Sequence, residues 1–218
     1  MAEHAATVGV EVEEQFFSAE QQRHVATLGM WVFLATELLL FSGMFLVALV
    51  LRVLHPASVT AVALHLKFWI GATNAAVLIV SSFTMSLAIE ASKAGLRRAM
   101  LRFLVATAAL GVLFLCLKAY EYYRDWAEHM MPFLPGRPYV LDGDPASRLF
   151  TNLYFIITGL HGLHLTVGIC LVLGMAFFGR RAGFLSRHQN RVEVLGLYWH
   201  FIDLIWLIVF PTLYLLNR

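Results

Sequence analysis

Five ionisable side chains lie inside long apolar stretches of this sequence, where a charge is expensive. They are Glu37, His161, His164, His200 and Asp203. At the rise of an α-helix, Glu37, His161, His164 and Asp203 lie roughly 14 to 22 Å along their stretches, close to the middle of a bilayer core. A carboxylate at that depth costs about 2.5 to 3.5 kcal/mol, so it must face a bundle interior, find a partner or carry a proton. The pattern indicates a polar, proton-related site within a membrane.

The two carboxyl groups have different partners within reach. His200 and Asp203 are three residues apart on one helix and can contact each other directly. Glu37 needs a partner on another helix. As a structural residue it is a protonated carboxyl that donates one interhelical hydrogen bond, worth about 1 kcal/mol. As a functional residue it handles protons or lipid, and both interpretations stay open.

The histidines His161 and His164 lie three residues apart, on one face of a helix. Histidine is the commonest metal ligand, so a haem-iron or copper site is one interpretation, with an axial pair such as His164 and His200 across two helices. Two histidines at this spacing do not complete a coordination shell, however. Hydrogen-bonded structural histidines are the simpler interpretation, and we predict no metal ligand in this chain.

The composition excludes a water-soluble globule. Of 218 residues, 60% are hydrophobic and only 14% are charged, whereas a typical soluble domain carries about 25% charged residues. A spanning helix needs about 20 apolar residues, so five crossings nearly exhaust the length. Cys116 and Cys170 lie in apolar stretches and are predicted to be small buried hydrophobic residues, not a disulfide or a thiolate metal site.

Hydropathy predicts an all-α integral membrane protein with a bundle of five transmembrane helices. The approximate spans are 25–51, 68–89, 99–123, 149–179 and 194–217. They form one membrane domain, 25–218, after an acidic N-terminal segment, 1–24. His55-Pro56 predicts a break after the first helix, and Lys118 is placed to extend towards the lipid head groups. The proline- and glycine-rich stretch 124–148 is the one long loop.

Basic residues concentrate in two of the links between these helices. They are Lys93, Arg97 and Arg98 in the link after the second helix, and Arg180, Arg181, Arg187 and Arg191 in the link after the fourth. The positive-inside rule places this side and the N-terminus in the cytoplasm, and the long loop and the C-terminus outside. We also expect Arg180 and Arg181 to contact anionic lipid head groups.

Five segments carry a resemblance to a known family. They are Gly29-Met-Trp-Val-Phe-Leu-Ala-Thr-Glu37, then Asn74 with Ser81-Ser82, then Lys118-Ala-Tyr-Glu-Tyr-Tyr123, then Thr158-Gly-Leu-His-Gly-Leu-His164, and finally Tyr198-Trp-His-Phe-Ile-Asp203-Leu-Ile-Trp206. In this order they resemble subunit III of the haem-copper respiratory oxidases. The longer members of that family have seven helices. This chain lacks the first two and is similar to the short five-helix bacterial forms.

The resemblance implies a subunit without catalytic residues, part of a proton-pumping terminal oxidase that reduces O2 to water in a bacterial plasma membrane. Such a subunit binds subunit I, sustains its proton uptake and stability, and holds structural phospholipid. Subunit II and a small subunit IV share the complex, haem and copper belong to the partner subunits, and no nucleic acid is involved. Glu37 resembles the intramembrane glutamate of the family, with His164 as its expected partner.

Several alternatives remain beside this resemblance. Within the family they are subunit III of a quinol oxidase and the homologue associated with nitric oxide reductase. Outside it, a proton-coupled transporter would use Glu37 and Asp203, although the sequence has neither the internal repeat nor the broken helices typical of such proteins. A membrane cytochrome b would show haem absorbance in the isolated chain.

Overall fold

The computed structural model describes residues 19–132, 139–141, 144–180 and 184–215, and nearly all of them are helical. The helices are α1 (Ala19–Leu54), α2 (Pro56–His65), α3 (Phe68–Lys93), α4 (Arg97–Ala127), α5 (Pro145–Phe178) and α6 (Phe184–Phe210), and a π-helical turn, Pro211–Leu215, follows α6. In the described part of the chain, all of these helices except α2 are long and apolar enough to cross a membrane. The prediction of an all-α, five-span membrane protein is confirmed.

The short helix α2 lies in a link that the hydropathy pattern treated as non-helical. The predicted break is present, because α1 ends at Leu54 and Pro56 occupies the first turn of α2, where a missing N–H costs nothing. α2 packs against α5 and buries Val59, Val62 and Ala63. Ten residues are too few to span a bilayer, so the helix left no hydropathy signal.

The membrane-spanning helices run past the spans predicted from hydropathy. α4 continues to Ala127 and α5 begins at Pro145, so the link between them is 128–144. Asp144 caps α5, because its side chain accepts hydrogen bonds from the backbone N–H of Ala146 and the hydroxyl of Ser147. The hydrogen bond from Ser147 is the main reason why the pKa of the Asp144 carboxyl lies below its usual value.

α6 is the central helix of the bundle and packs against α1, α3 and α5. Its Trp199 and Trp206 are fully buried. Trp199 occupies a slot between two glycines, since a Cβ added at Gly111 would lie 3.0 Å from the indole and one added at Gly168 would lie 3.3 Å from it. Gly168 lets the indole lie against α5, and Gly111 makes room for its far edge beside α4, as small residues do in membrane helix packing.

α1 lies at the edge of the bundle, against α5 and α6. In its most apolar 18-residue stretch, only 22% is buried within the chain, compared with 50% in the corresponding stretch of the α6 span. Cys116 and Cys170 are also exposed on the outer surface, so the prediction that they are buried was wrong. Their thiols face the surroundings of the bundle because apolar side chains are favourable on either surface of a membrane helix.

Candidate functional site at membrane depth

The carboxyl of Glu37 on α1 meets the imidazole of His164 on α5. Glu37 Oε2 lies 2.9 Å from His164 Nε2. The expected contact between these two residues is therefore present, and it joins the edge helix to the rest of the bundle. Both residues lie far from the ends of their helices, so the hydrogen bond forms in the region that hydrocarbon surrounds.

The other ring nitrogen of His164 restricts where the shared proton can sit. Nδ1 lies 2.9 Å from the backbone carbonyl oxygen of Leu160, which can only accept, so Nδ1 carries a hydrogen and donates it. In a neutral imidazole Nε2 is then the acceptor, and Glu37 must be protonated to donate to it. If the proton moves to Nε2, the pair becomes carboxylate and imidazolium. The two states of the pair therefore differ only in whether this proton is on Glu37 or on His164 Nε2.

The surroundings of the pair hold it in place without closing it off. The ring of Phe41 packs edge-on against His164 with 5.7 Å between centroids, and the hydroxyl of Tyr198 donates to the backbone carbonyl of His164 at 3.1 Å. The side chains of His164 and Glu37 keep 15% and 16% of their surface exposed. Part of each side chain therefore lies on the outer surface of the bundle.

His161 lies one turn from His164 but in a different environment. It is fully buried, with its ring 5.1 Å from that of Trp206 and 5.5 Å from that of Phe114. Its Nε2 has no hydrogen-bond partner among the described residues. The two histidines therefore share a helix face in sequence but do not share a partner.

His200 and Asp203 do not form the hydrogen bond expected between them. His200 Nδ1 lies 2.7 Å from the hydroxyl of Ser82 on α3 instead. Both carboxyl oxygens of Asp203 are buried, and this carboxyl interacts with the hydroxyls of Ser82 and Ser81 on α3. The expectation was wrong because α3 packs close to α6 and offers its serine hydroxyls to the imidazole.

The histidines do not converge on a possible metal site. His164 contacts Glu37, His161 stacks on Trp206, and His200 contacts Ser82. Across the residues that the structure describes, no group of three or more His, Cys, Asp or Glu side chains is close enough to bind an ion.

A second polar cluster, which sequence reasoning missed, lies around Lys118 on α4. Its ammonium group donates to Glu121 at 3.0 Å, to Tyr154 at 3.0 Å and to Tyr214 at 2.8 Å. The hydroxyl of Tyr214 donates in turn to the other oxygen of Glu121 at 2.7 Å. The side chain of Lys118 is 5% exposed and that of Glu121 is fully buried. The interpretation of Lys118 as a residue that extends to the head groups was therefore wrong.

The buried cluster continues along α4 to Asp125, which is 2% exposed and lies 3.4 Å from the hydroxyl of Tyr154. Lys118, Glu121 and Asp125 follow the spacing i, i+3, i+7, which places them on one helix face. That spacing was the available signal. We call these three residues, with Tyr154 and Tyr214, the Lys118 network.

The two arginines predicted to contact lipid stand at the end of α5. Arg180 is exposed in the turn that follows the helix. Arg181 lies outside the described residues. An apolar groove of about 250 Å³ opens at the same end of the bundle, between α1, α5 and α6, with Met30, Met175 and Arg191 in its wall.

Comparison with known proteins decides the family. The family model described as cytochrome c oxidase subunit III matches residues 12–218. A protein named cytochrome c oxidase subunit 3 from Thermostichus vulcanus is 34% identical over 92% of each chain. The chain belongs to the cytochrome c oxidase subunit III family. The resemblance seen in the sequence motifs is confirmed.

Relatives of this subunit III carry two kinds of name. A cytochrome c oxidase subunit 3 from Synechocystis is 31% identical over 86% of this chain and 74% of its own length. A quinol oxidase subunit 3 from Bacillus spizizenii is 26% identical over 87% of this chain and 86% of its own length. Subunit III chains with either name belong to terminal oxidases, so this chain is a multi-pass membrane subunit of such a complex.

In this subunit III, the structure brings together only one pair of the predicted site residues. Glu37 and His164 are hydrogen-bonded to each other, whereas His161 packs against Trp206, His200 contacts Ser82, and Asp203 interacts with the hydroxyls of Ser82 and Ser81. The geometry therefore points to the Glu37–His164 pair as the candidate site.

Proposed function

We propose that this chain is the non-catalytic subunit III of a proton-pumping cytochrome c oxidase, which reduces O2 to water. It binds subunit I, shares the complex with subunit II and a small subunit IV, and sustains proton uptake into subunit I and its stability. Haem and copper belong to the partner subunits. The names of the relatives at 34% and 31% identity support cytochrome c as the electron donor.

The observation that carries this proposal is the Glu37–His164 hydrogen bond of 2.9 Å. A single proton can move from the carboxyl to Nε2 along that bond without displacement of a heavy atom. The partial exposure of both side chains leaves a route by which the proton leaves or returns. A group that holds and releases a proton at the edge of the bundle suits a subunit that supplies protons to a neighbour.

The proposal includes a bacterial plasma membrane as the location, with the N-terminus in the cytoplasm and the C-terminus outside. The basic residues support it. Lys93, Arg97 and Arg98 lie at the junction of α3 and α4, Arg180 lies in the turn after α5, and Arg191 lies in the first part of α6. The bacterial relatives support the plasma membrane.

Bound phospholipid is part of the proposed role. The groove between α1, α5 and α6 has apolar walls for an acyl chain and Arg191 for a head group. Arg180 lies at the same end, and Arg180 and Arg181 would each add about 1 kcal/mol of attraction to an anionic head group. Replacing Arg180 and Arg181 with Gln is expected to lower the amount of phosphatidylglycerol or cardiolipin that co-purifies, and an unchanged amount would leave them a topological role alone.

The proton role is tested with Glu37→Gln in the complete oxidase complex. The amide can still donate a hydrogen bond to His164 Nε2 but cannot release a proton, so assembly with the haem-bearing subunits is expected to be normal. Oxygen consumption is expected to start slower or to decline sooner during sustained turnover. Both quantities are measured on one preparation, by co-purification in mild detergent and by oxygen electrode.

Glu90→Gln is the matched control, because Glu90 is exposed at the end of α3 and pairs with Lys93 at 3.1 Å. It is expected to assemble and to turn over as the native complex does. The proton role is wrong if the Glu37→Gln complex consumes oxygen as fast and as long as the Glu90→Gln complex. Failure of Glu37→Gln to assemble would contradict both the proton role and the neutral hydrogen bond.

The quinol oxidase alternative is favoured by one observation, the names of relatives such as that from Bacillus spizizenii. The purified complex distinguishes the two, because the proposal expects it to oxidise reduced cytochrome c and not ubiquinol. In either case the isolated chain is expected to be colourless. Haem absorbance that maps to His161, His164 or His200 in the isolated chain would overturn the assignment of haem to the partner subunits.

A further inference from the structure

The Lys118 network contains one basic and two acidic side chains. The side chains of Lys118 and Glu121 are 5% and 0% exposed, and Asp125 is 2% exposed. If all three were ionised, the network would carry one uncompensated negative charge inside the bundle. A buried charge without a partner is so costly that the group becomes neutral instead. The charge balance therefore requires one of the two carboxyl groups to be neutral.

The hydrogen bonds of the network identify Glu121 as the ionised carboxylate. Its Oε2 accepts from the ammonium group of Lys118 at 3.0 Å. Its Oε1 accepts from the hydroxyl of Tyr214 at 2.7 Å and from that of Tyr154 at 3.0 Å. A hydroxyl that donates to a carboxylate lies about 2.5 to 2.7 Å from it. The bond from Tyr214 has this length, so Glu121 is the charged partner of Lys118.

Asp125 has no hydrogen bond of this kind. Among the described residues, only the hydroxyl of Tyr154 reaches its carboxyl group, and it lies 3.4 Å from Oδ2. That distance is too long for a bond to a carboxylate. Tyr154 has a single hydroxyl hydrogen, and Glu121 is its nearer acceptor. The three hydrogens of the Lys118 ammonium group are also in use. An ionised Asp125 would therefore be buried without a donor of its own.

The charged groups nearest to the network do not supply the missing cation. Lys67, in the link between α2 and α3, interacts electrostatically with Asp125. Its ammonium group lies 2.6 Å from the carboxylate of Glu128, however, and both side chains are partly exposed. Arg124 pairs with the same carboxylate at 3.1 Å and is 44% exposed. Both cations are thus paired and screened by water at the surface, whereas Asp125 is enclosed.

We propose that Asp125 holds a proton in the folded protein, so that the Lys118 network is electrically neutral and contains a proton-holding carboxyl group separate from the Glu37–His164 pair. The Asp125 hydroxyl then donates to the oxygen of Tyr154, whose own hydrogen goes to Glu121. A bond of 3.4 Å is weak, but a neutral carboxyl tolerates it where a carboxylate does not. The inference concerns the fold of this chain and does not depend on its role in the oxidase.

The proton is detected by infrared spectroscopy of the complete complex at neutral pH. A protonated carboxyl group has a C=O stretching band that an ionised carboxylate lacks. The difference between the spectra of the native complex and of Asp125→Asn is expected to contain this band, because the other carboxyl groups cancel. Aspartate labelled with carbon-13 in its side-chain carboxyl is expected to shift the band to lower frequency. The label thus distinguishes a proton on Asp125 from one on Glu121.

Asp144→Asn is the matched control for the infrared measurement. Asp144 caps α5 as a carboxylate that accepts from the Ala146 N–H and the Ser147 hydroxyl, and Asn is an equally good capping residue. Its difference spectrum is expected to lack the band of a protonated carboxyl. The proposal is wrong if the Asp125→Asn difference also lacks this band, or if the band does not shift when aspartate is labelled.

Thermal stability in mild detergent gives a second test, since Glu121→Gln and Asp125→Asn are the same chemical change within one network. Asp125→Asn exchanges one neutral group for another and is expected to melt close to the native protein. Glu121→Gln removes the carboxylate that pairs with Lys118, so it is expected to lower the melting temperature clearly more. An equal loss for both variants, a larger loss for Asp125→Asn, or failure of Asp125→Asn to assemble would overturn the proposal, because Asp125 would then be needed as a charge.

Discussion

The Lys118 network and the Glu37–His164 pair are both ionisable clusters within the membrane-spanning helices, but they differ in enclosure. Lys118 and Glu121 are 5% and 0% exposed, and two tyrosine hydroxyls complete their hydrogen bonds. Glu37 and His164 keep 15% to 16% exposed, with one hydrogen bond between them. The Lys118 network joins three elements of the bundle core, whereas the pair joins the core to the edge helix α1.

The difference in enclosure bears on the proton role proposed for the Glu37–His164 pair. In the Lys118 network, removing a proton from Lys118 or adding one to Glu121 breaks up a buried ion pair, and that is expensive in a medium of low dielectric constant. In the pair, the proton can move between two groups that remain hydrogen-bonded. Enclosure therefore favours a structural role for the Lys118 network, and partial exposure favours an exchange role for the pair.

The largest expected effect comes from Lys118→Met. The substitution leaves Glu121 and Asp125 in a buried site without a cation, so we expect a loss of about 3 to 5 kcal/mol in the free energy of unfolding. Thermal unfolding in mild detergent, followed by circular dichroism, measures it.

The control for Lys118→Met is Lys93→Met. Lys93 pairs with Glu90 at 3.1 Å but is 47% exposed, so its loss is expected to cost no more than about 1 kcal/mol. Adding Glu121→Gln to Lys118→Met should recover part of the stability. Equal melting temperatures for the two single variants would show that the enclosed network does not stabilise the fold.

A smaller effect is expected from Glu37→Ala. His164 Nε2 loses its partner and α1 loses a polar contact with α5, so we expect about 1 kcal/mol of destabilisation. Glu37→Gln, which keeps a donor, is expected to be close to native. The measurement is the melting temperature of each variant, with exposed Glu90→Ala as the reference. A loss for Glu37→Gln as large as that for Glu37→Ala would mean that the charge, not the hydrogen bond, matters.

The smallest effect is expected at Glu128, beyond the end of α4, where Lys67 approaches it at 2.6 Å. The hydrogen bond from Lys67 is the main reason why the pKa of Glu128 lies below its usual 4.5. A lowered pKa in the folded state stabilises the fold above pH 4.5, and that contribution is lost as the pH falls through the lowered value. Because both side chains are partly exposed, the contribution is about 1 kcal/mol or less.

Glu128→Gln measures how much this surface ion pair contributes to stability, so that its contribution can be compared with those of the two clusters inside the membrane. The variant is expected to melt slightly below the native protein at neutral pH and together with it once the pH is below the pKa of Glu128. Melting curves recorded as the pH is lowered provide the comparison. A difference that persists at the lowest pH would assign the stabilisation to packing rather than to charge.

The number and order of the spans could be predicted from the sequence, because hydropathy over about 20 residues reports directly on bilayer solvation. Glu37 and His164 could be paired because both lie in the middle of apolar stretches and each needs a partner. Lys118 could not be placed correctly, because its partner Tyr214 lies 96 residues away in sequence. A charge near the end of a hydrophobic run has the same local pattern whether it points to the head groups or into the core.

The contacts of His200 and Asp203 could not be predicted from the sequence of α6 alone, because the groups that they contact lie on another helix. Their spacing on α6 permits a direct contact, but Ser82 on α3 takes the imidazole. Helix α2 was missed for a related reason, since its ten residues, Pro56–His65, are helical mainly because α5 gives their apolar side chains a surface to pack against.

The shallow packing of α1 has a consequence for how the chain is made. Little of the surface of α1 packs against the bundle, and Glu37 is the sole acidic side chain between residues 25 and 51. Such a helix is stable in lipid before it contacts its neighbours. When α1 packs against α5, the hydrogen bond from Glu37 to His164 offsets the free-energy cost of inserting the carboxyl group into the membrane. Since only one rotation of α1 about its axis brings Glu37 to that imidazole, the hydrogen bond also selects which side of α1 faces away from the bundle.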